Sequence, residues 1–127
     1  MVEVMSVATL RARVEAGTAP QIVDVRRARA YREAHVPGAV NLPLPELPER
    51  VAEVDWDEAI VCVCPKGESS LRAARLLEAY ESVPDEATVY SLDEGLQAWD
   101  GPVDSGAART AEPPAADRTD TDPDAPF

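Results

Sequence analysis

The sequence is poor in lysine, aromatic residues and cysteine. Among its 127 residues are 12 basic ones, of which only Lys66 is a lysine; aromatics make up 5%, and there are 2 cysteines. No apolar run has the length of a membrane-spanning helix, and the N-terminus lacks the basic-then-apolar pattern of a secretory signal peptide. Two cysteines cannot form the disulfide framework of a small secreted domain. The sequence therefore predicts a soluble, cytoplasmic protein.

Acidic residues outnumber basic ones by 24 to 12, which gives a net charge of −12. Such a surface repels phosphate backbones and anionic lipids, so we expect neither nucleic-acid binding nor membrane binding. An acidic, lysine-poor surface also stays hydrated in concentrated salt, and a halophilic source is one hypothesis. A GC-rich coding bias explains the same composition equally well. Activity and refolding yield measured in molar salt would separate the two explanations.

Composition divides the chain into one predicted domain and a tail. Residues 104–127 contain no Ile, Leu, Val, Met, Trp or Tyr and are dominated by Ala, Pro, Asp and Thr. Such a segment cannot bury enough apolar area to offset the entropy lost on ordering it. We expect a domain over residues 1–103 and a disordered acidic tail over residues 104–127.

Apolar runs alternate with amphipathic stretches along the predicted domain. Ser6 is the expected N-cap of the first helix and Gly17 its C-terminal end. Strands that alternate with helices predict an α/β fold, with a mostly parallel sheet of about five strands and helices on both faces. The pattern predicts strands at residues 2–5, 21–25, 39–42, 59–63 and 88–92, and helical segments at 6–16, 28–34, from 46, 69–81 and 95–99.

The loop after the 59–63 strand is the candidate active site, because sites in such sheets gather where strands end and helices begin. It reads Cys64-Pro65-Lys66-Gly67-Glu68-Ser69-Ser70. At this place Cys64 lies near the positive end of a helix dipole, and loop amides can donate to its sulfur. Gly67 permits a tight curl of the backbone, and Lys66 adds a nearby cation. These features favour the thiolate, which is the nucleophilic form.

The sequence favours neither a reactive Cys62 nor a disulfide between Cys62 and Cys64. Cys62 lies within an apolar strand, where burial raises the pKa of a thiol, so we interpret it as structural. Extended residues two apart have Cα atoms about 6.6 Å apart, at the upper limit for a disulfide, so Cys62 and Cys64 are expected to be separate thiols.

The loop also lacks a residue that a phosphatase would need. A phosphatase-type C-x5-R loop would carry an arginine at position 70. Ser70 stands there and the next arginine is Arg72, so the oxyanion clamp is missing.

Four motifs, taken together, resemble the rhodanese-like sulfurtransferases. Residues 64–69 resemble the family's active-site loop C-x-x-G-x-[RTS], and residues 24–26 (Asp-Val-Arg) resemble its D-x-R. Residues 35–43 (His-Val-Pro-Gly-Ala-Val-Asn-Leu-Pro) resemble its H-I-P-G-A-x-N-[IL]-P signature. Residues 92–99 are similar to its closing L-x-G-G-x-x-A-W motif. The four motifs occur in order and span nearly the whole predicted domain.

The resemblance implies a three-layer rhodanese-like fold and sulfur transfer without a metal or an organic cofactor. Cys64 would attack a small sulfane-sulfur donor such as thiosulfate and become a persulfide, and a thiol or a sulfur-accepting protein would then take the sulfur. Asp24 would orient the loop or the neighbouring turn. Arg26 would either bind an anionic donor or pair with Asp24 or Glu33. The persulfide-binding loop would consist of Pro65, Lys66, Gly67, Glu68, Ser69 and Ser70.

The sequence also departs from the family pattern. Pro65 has no N–H to donate to the sulfur, and the Glu68 carboxylate opposes a thiolate and repels anionic donors. Ala34 and Glu94 replace glycines, which we expect to be local turn changes if the backbone avoids positive φ there. His35, the only histidine, is expected to be a structural residue of its turn rather than a base. These departures leave open an alternative function, that of a non-catalytic binding or regulatory module.

Overall fold

Five strands within residues 2–106 form one sheet, and every pair of neighbouring strands is parallel. The computed structural model describes residues 2–106. The order across the sheet is β1-β5-β4-β2-β3, so β4 lies at its centre. The continuous apolar run of β4 suits this position, because a central parallel strand is covered on both faces. The strands are β1 (Glu3–Met5), β2 (Gln21–Asp24), β3 (Val40–Asn41), β4 (Ala59–Val63) and β5 (Thr88–Leu92).

Between residues 2 and 106, four α-helices and two short 3-10 helices connect the strands, and a third 3-10 helix follows β5. The first helix has the ends that its sequence predicts: Ser6 Oγ accepts a hydrogen bond from the Thr9 N–H at 3.1 Å, and Gly17 closes the helix in the left-handed region at φ +77°. The α-helices are α1 (Val7–Ala16), α2 (Ala28–Glu33), α3 (Leu47–Arg50) and α4 (Glu68–Ala79); the 3-10 helices are Leu44–Glu46, Val51–Glu53 and Leu96–Ala98. Within residues 2–106, no helix is long and apolar enough to cross a membrane.

Helices cover both faces of the sheet, which confirms the predicted α/β class. Side chains alternate between the faces along each strand, so neighbouring strand residues belong to different apolar clusters. The cluster under α3 and α4 includes Val23, Val25, Leu47, Ile60, Cys62, Cys64, Ala73, Ala74 and Leu77. The cluster under α1 and α2 includes Val7, Leu10, Ile22, Tyr31, Val61 and Val63. The thiols of the two cysteines therefore face α4.

Several element boundaries differ from the prediction by one or two residues. The predicted 39–42 strand is reduced to Val40–Asn41, and the 69–81 helix begins one residue earlier and ends at Ala79. Tyr80 ends that helix because its backbone is extended, at φ −89° and ψ 138°. The predicted 95–99 turn is a 3-10 helix at Leu96–Ala98. Such boundaries depend on tertiary contacts as well as on the local pattern.

The described chain runs three residues past the predicted boundary at 103. Asp104 and His35 exchange two backbone hydrogen bonds of 2.8 and 2.9 Å, and the Gly106 N–H donates to the Arg32 carbonyl at 2.9 Å. Asp104 and Gly106, within the first three residues of the predicted tail, therefore bond to the segment that leads into the Val36-Pro37-Gly38 turn. The rest of the tail, residues 107–127, lies outside the described residues.

Candidate active site

Cys64 directly follows β4, and its sulfur accepts two backbone hydrogen bonds. The Gly67 N–H donates to Cys64 Sγ at 3.0 Å and the Ser70 N–H at 3.2 Å. Gly67 has φ +88°, so the loop turns back on itself before the 12-residue helix α4 begins. The sulfur therefore lies at the positive end of a helix dipole and inside a curl of amides. Both features stabilise negative charge on the sulfur.

A second loop, residues 92–97, packs backbone to backbone against the Cys64 loop. A Cβ atom added at Gly67 would lie 2.5 Å from the Asp93 carbonyl oxygen, and one added at Gly95 would lie 2.3 Å from the Pro65 carbonyl oxygen. Both glycines also have positive φ, at +88° and +78°. Only glycine satisfies the space and the backbone conformation together at these two positions.

Backbone hydrogen bonds join the two loops. The Leu96 N–H donates to the Cys64 carbonyl at 2.7 Å, and the Gln97 N–H donates to the Pro65 carbonyl at 2.9 Å. The 92–97 loop is in turn tied to α1, because Glu94 Oε1 accepts the Val7 N–H at 2.8 Å. Glu94 is thus more than the local turn change predicted from sequence: its carboxylate caps the first turn of α1 and links that helix to the loop beside Cys64.

The remaining residues of the Cys64 loop divide into surface and buried positions. Pro65 removes no donor from the sulfur, because the two N–H groups that reach it belong to Gly67 and Ser70. Glu68 is the first residue of α4, where its carboxylate interacts favourably with the helix dipole and so offsets part of the positive potential that acts on the sulfur. Cys64 itself is 2% exposed. The surface residues are Pro65, Lys66, Glu68 and Ser69, whereas Ser70 is buried.

Asp24 and Arg26 form an ion pair at the end of β2. Arg26 Nε lies 2.9 Å from Asp24 Oδ1 and Nη2 lies 2.7 Å from Oδ2, and Nη2 also donates to the Ala34 carbonyl at 2.7 Å. The sequence left three partners open for Arg26, namely an anionic donor, Asp24 and Glu33, and in the structure its partner is Asp24. Asp24 shares a sheet face with Ile22, under α1 and α2, whereas Cys64 faces α4. The pair therefore stabilises the turn after β2, and the Asp24 side chain lies on the opposite face of the sheet from Cys64.

His35 and Ala34 have structural positions, as predicted. His35 Nδ1 lies 2.7 Å from the Tyr31 carbonyl oxygen, and the two rings stack with their centroids 3.8 Å apart. Ala34 has φ −169°, an extended conformation that any residue adopts, so the loss of a glycine there is tolerated. Within residues 2–106, no cluster of three or more His, Cys, Asp or Glu side chains could hold a metal ion.

Cys62 is a fully buried thiol. Burial, together with a smaller contribution from the neighbouring Cys64, raises the pKa of this thiol from 9.0 to about 12. Both cysteines are free. The prediction of two separate thiols, with Cys62 structural, is confirmed.

Sequence reasoning missed Ser91, a buried residue of β5. Ser91 Oγ lies 2.8 Å from Ser70 Oγ, and the two residues are 2% and 0% exposed. A serine directly before Leu92 in a predicted strand is the signal that could have identified it, because a buried hydroxyl needs a partner. At position 70, where a phosphatase-type loop would carry an arginine, this chain has Ser70, whose buried hydroxyl pairs with that of Ser91.

Comparison with known proteins agrees with this geometry. Residues 6–101 match the family model for the rhodanese-like domain. Thiosulfate sulfurtransferase GlpE of Shewanella oneidensis is 39% identical over 79 residues, which are 62% of this chain and 74% of that protein. The HTH-type transcriptional regulator Rv0324 of Mycobacterium tuberculosis is 38% identical over 103 residues, but the match spans only 44% of that longer protein. The solution structure of the rhodanese-like domain of the Anabaena sp. Alr3790 protein superposes with a TM-score of 0.69 at 27% identity, covering 93% of this chain and 89% of that one.

Proposed function

Because this chain belongs to the rhodanese-like domain family, we propose that it is a sulfurtransferase whose Cys64 carries the transferred sulfur as a persulfide. The proposal rests on two hydrogen bonds, which the backbone N–H groups of Gly67 and Ser70 donate to Cys64 Sγ. An anionic sulfur is the species that this arrangement stabilises, and a nucleophilic thiolate and a persulfide are both anionic sulfur species. The 39% identical relative named as a thiosulfate sulfurtransferase supports the same reaction.

The proposed reaction has two half-reactions. The Cys64 thiolate attacks the outer sulfur of thiosulfate, a new S–S bond forms, and sulfite leaves with the electron pair of the donor's broken S–S bond. The acceptor then attacks the outer sulfur of the persulfide, and the Cys64 thiolate leaves with the electrons of that bond. Because the enzyme is modified between the two steps, ping-pong kinetics are expected. Neither step requires a metal or an organic cofactor.

The partners follow from this chemistry. The donor would be a small sulfane-sulfur compound, and the acceptor a thiol or a sulfur-accepting protein. The net charge of −12 disfavours nucleic acid and anionic membranes as partners. Two free cysteines suit a reducing compartment, so we place the activity in the cytoplasm.

Intact-protein mass spectrometry tests the proposal. Reduced protein incubated with thiosulfate should gain the mass of one sulfur atom, and cyanide should remove it. The Cys64→Ser variant should show no gain. Cys62→Ala removes the thiol within β4 and leaves Cys64 in place, so it should gain sulfur as the wild type does. If folded wild-type protein gains no sulfur from thiosulfate or from a small-molecule persulfide, the sulfurtransferase proposal is wrong.

A non-catalytic binding or regulatory module is the second candidate. Cys64 is 2% exposed, so its sulfur offers a donor little accessible surface. The 38% identical relative is named as a transcriptional regulator. A folded protein that fails the sulfur-loading experiment would favour this candidate.

A further inference from the structure

The two N–H groups that reach the sulfur are held in place by different parts of the fold. Gly67 is held by the backbone of the 92–97 loop, since the Asp93 carbonyl lies directly beside it. Ser70 is held by its side chain, whose hydroxyl lies 2.8 Å from that of Ser91. The second support comes from β5, whose residues 88–92 donate no hydrogen bond to the sulfur.

Ser91 is well placed to set the position of Ser70. It pairs in register with Cys62 on β4, and its side chain points to the face of the sheet that α4 covers. The hydroxyl pair therefore ties the first turn of α4 to β5, the strand beside central β4. Because Ser70 is fully buried and its own N–H donates to Cys64 Sγ at 3.2 Å, a shift of this turn moves that donor directly.

Stability alone does not account for this pair. Two buried hydroxyls lose their hydrogen bonds to water, and replacing both by apolar groups of the same shape is often nearly neutral. A hydroxyl pair adds precise positioning, since a hydrogen bond fixes the distance between its two oxygen atoms more narrowly than apolar contact does. We propose that Ser91 is a positioning residue for the sulfur site, which acts by fixing Ser70 and its N–H against Cys64 Sγ.

The Ser91→Ala variant tests this inference, which rests on the proposed function for its activity measurement. Sulfur transfer from thiosulfate to cyanide should lose about three- to tenfold in kcat, the loss expected for one weakened hydrogen bond, with the KM for thiosulfate little changed. The rate at which iodoacetamide alkylates Cys64 at fixed pH should fall in parallel. Ser91→Thr, which keeps a hydroxyl, should restore most of both rates. Thr88→Val removes a hydroxyl from the other end of β5 and should leave both rates unchanged.

Further variants separate positioning from simple stability. Ser70→Ala removes the same hydrogen bond from the helix side while keeping the backbone N–H, so the two alanine variants combined should lose no more activity than either alone. If Ser91→Ala lowers the thermal midpoint but leaves kcat and the alkylation rate unchanged, the inference is wrong. Should Ser91→Ala not fold, Ser70→Ala provides the same comparison. The alkylation rate needs no sulfur transfer, so failure of the proposed function would not be mistaken for failure of this inference.

Discussion

Replacing Gly67 by alanine should damage both the stability and the activity of the protein. A non-glycine residue in the left-handed region costs about 1–2 kcal/mol. The new Cβ would also lie 2.5 Å from the Asp93 carbonyl oxygen and 3.2 Å from that of Leu92, both of them backbone atoms that cannot rotate away. Overpacking of this kind costs about 1–3 kcal/mol more, so the total is about 2–5 kcal/mol. Because the Gly67 N–H must move with its backbone, sulfur loading of Cys64 should be lost or strongly reduced.

Gly17→Ala is the matched control. Gly17 also has positive φ, at +77°, but an added Cβ there meets nothing within 4 Å. It should lose only the conformational part, about 1–2 kcal/mol, and keep full activity. Urea denaturation of the two variants and the wild type measures the difference, and mass spectrometry measures sulfur loading. Equal destabilisation of the two variants, with sulfur loading intact in Gly67→Ala, would refute the argument that the two loops meet backbone to backbone.

Three further predictions concern other parts of the structure. The pKa of Cys62 is raised from 9.0 to about 12 in the folded protein, so the folded state keeps this proton longer; its contribution to stability is complete below about pH 9 and falls by about 1.4 kcal/mol per pH unit as the pH rises toward about 12. Urea denaturation at increasing pH should show this decline in the wild type, and an equal decline in Cys62→Ala would contradict it. Arg26→Ala leaves the fully buried Asp24 carboxylate without its ion-pair partner and should cost about 3–5 kcal/mol in the same assay; a loss below about 1 kcal/mol would show that the pair is dispensable. Glu94→Ala removes the acceptor of the Val7 N–H and should cost about 1 kcal/mol, whereas Glu94→Gln keeps an acceptor oxygen and should cost less; thermal unfolding distinguishes the two, and equal losses would mean that this hydrogen bond is not responsible.

Much of the fold follows from local patterns. The apolar run of residues 59–63 predicts a buried strand, and the structure has β4 over the same residues. Ser6 and Gly17 delimit α1 through cap chemistry that involves only neighbouring residues. The alternation of strands and helices predicts a parallel sheet because a parallel connection must cross over one of its faces.

The core of the candidate site also follows from the sequence. Cys64 and Gly67 lie between a predicted strand and a predicted helix, and this local order is enough to place amides around the sulfur. The structure has Gly67 at positive φ and its N–H on Cys64 Sγ. Residues 64–70 could be assigned to the site without knowledge of distant segments, because the two donors and the accepting sulfur are close in the chain.

The supports of the site were decided only by tertiary structure. The sequence left the partner of Arg26 open, since Asp24 and Glu33 are both close to it in the chain, and the folded turn chooses Asp24. Ser70 and Ser91 are 21 residues apart and Glu94 and Val7 are 87 apart, yet each pair forms a hydrogen bond. Sequence alone thus determined the strands, the helices and the loop that surrounds the thiol, because these depend on periodicity and on neighbouring residues. Which side chains hold that loop in place depends on how the sheet brings distant segments together, and no local pattern encodes that.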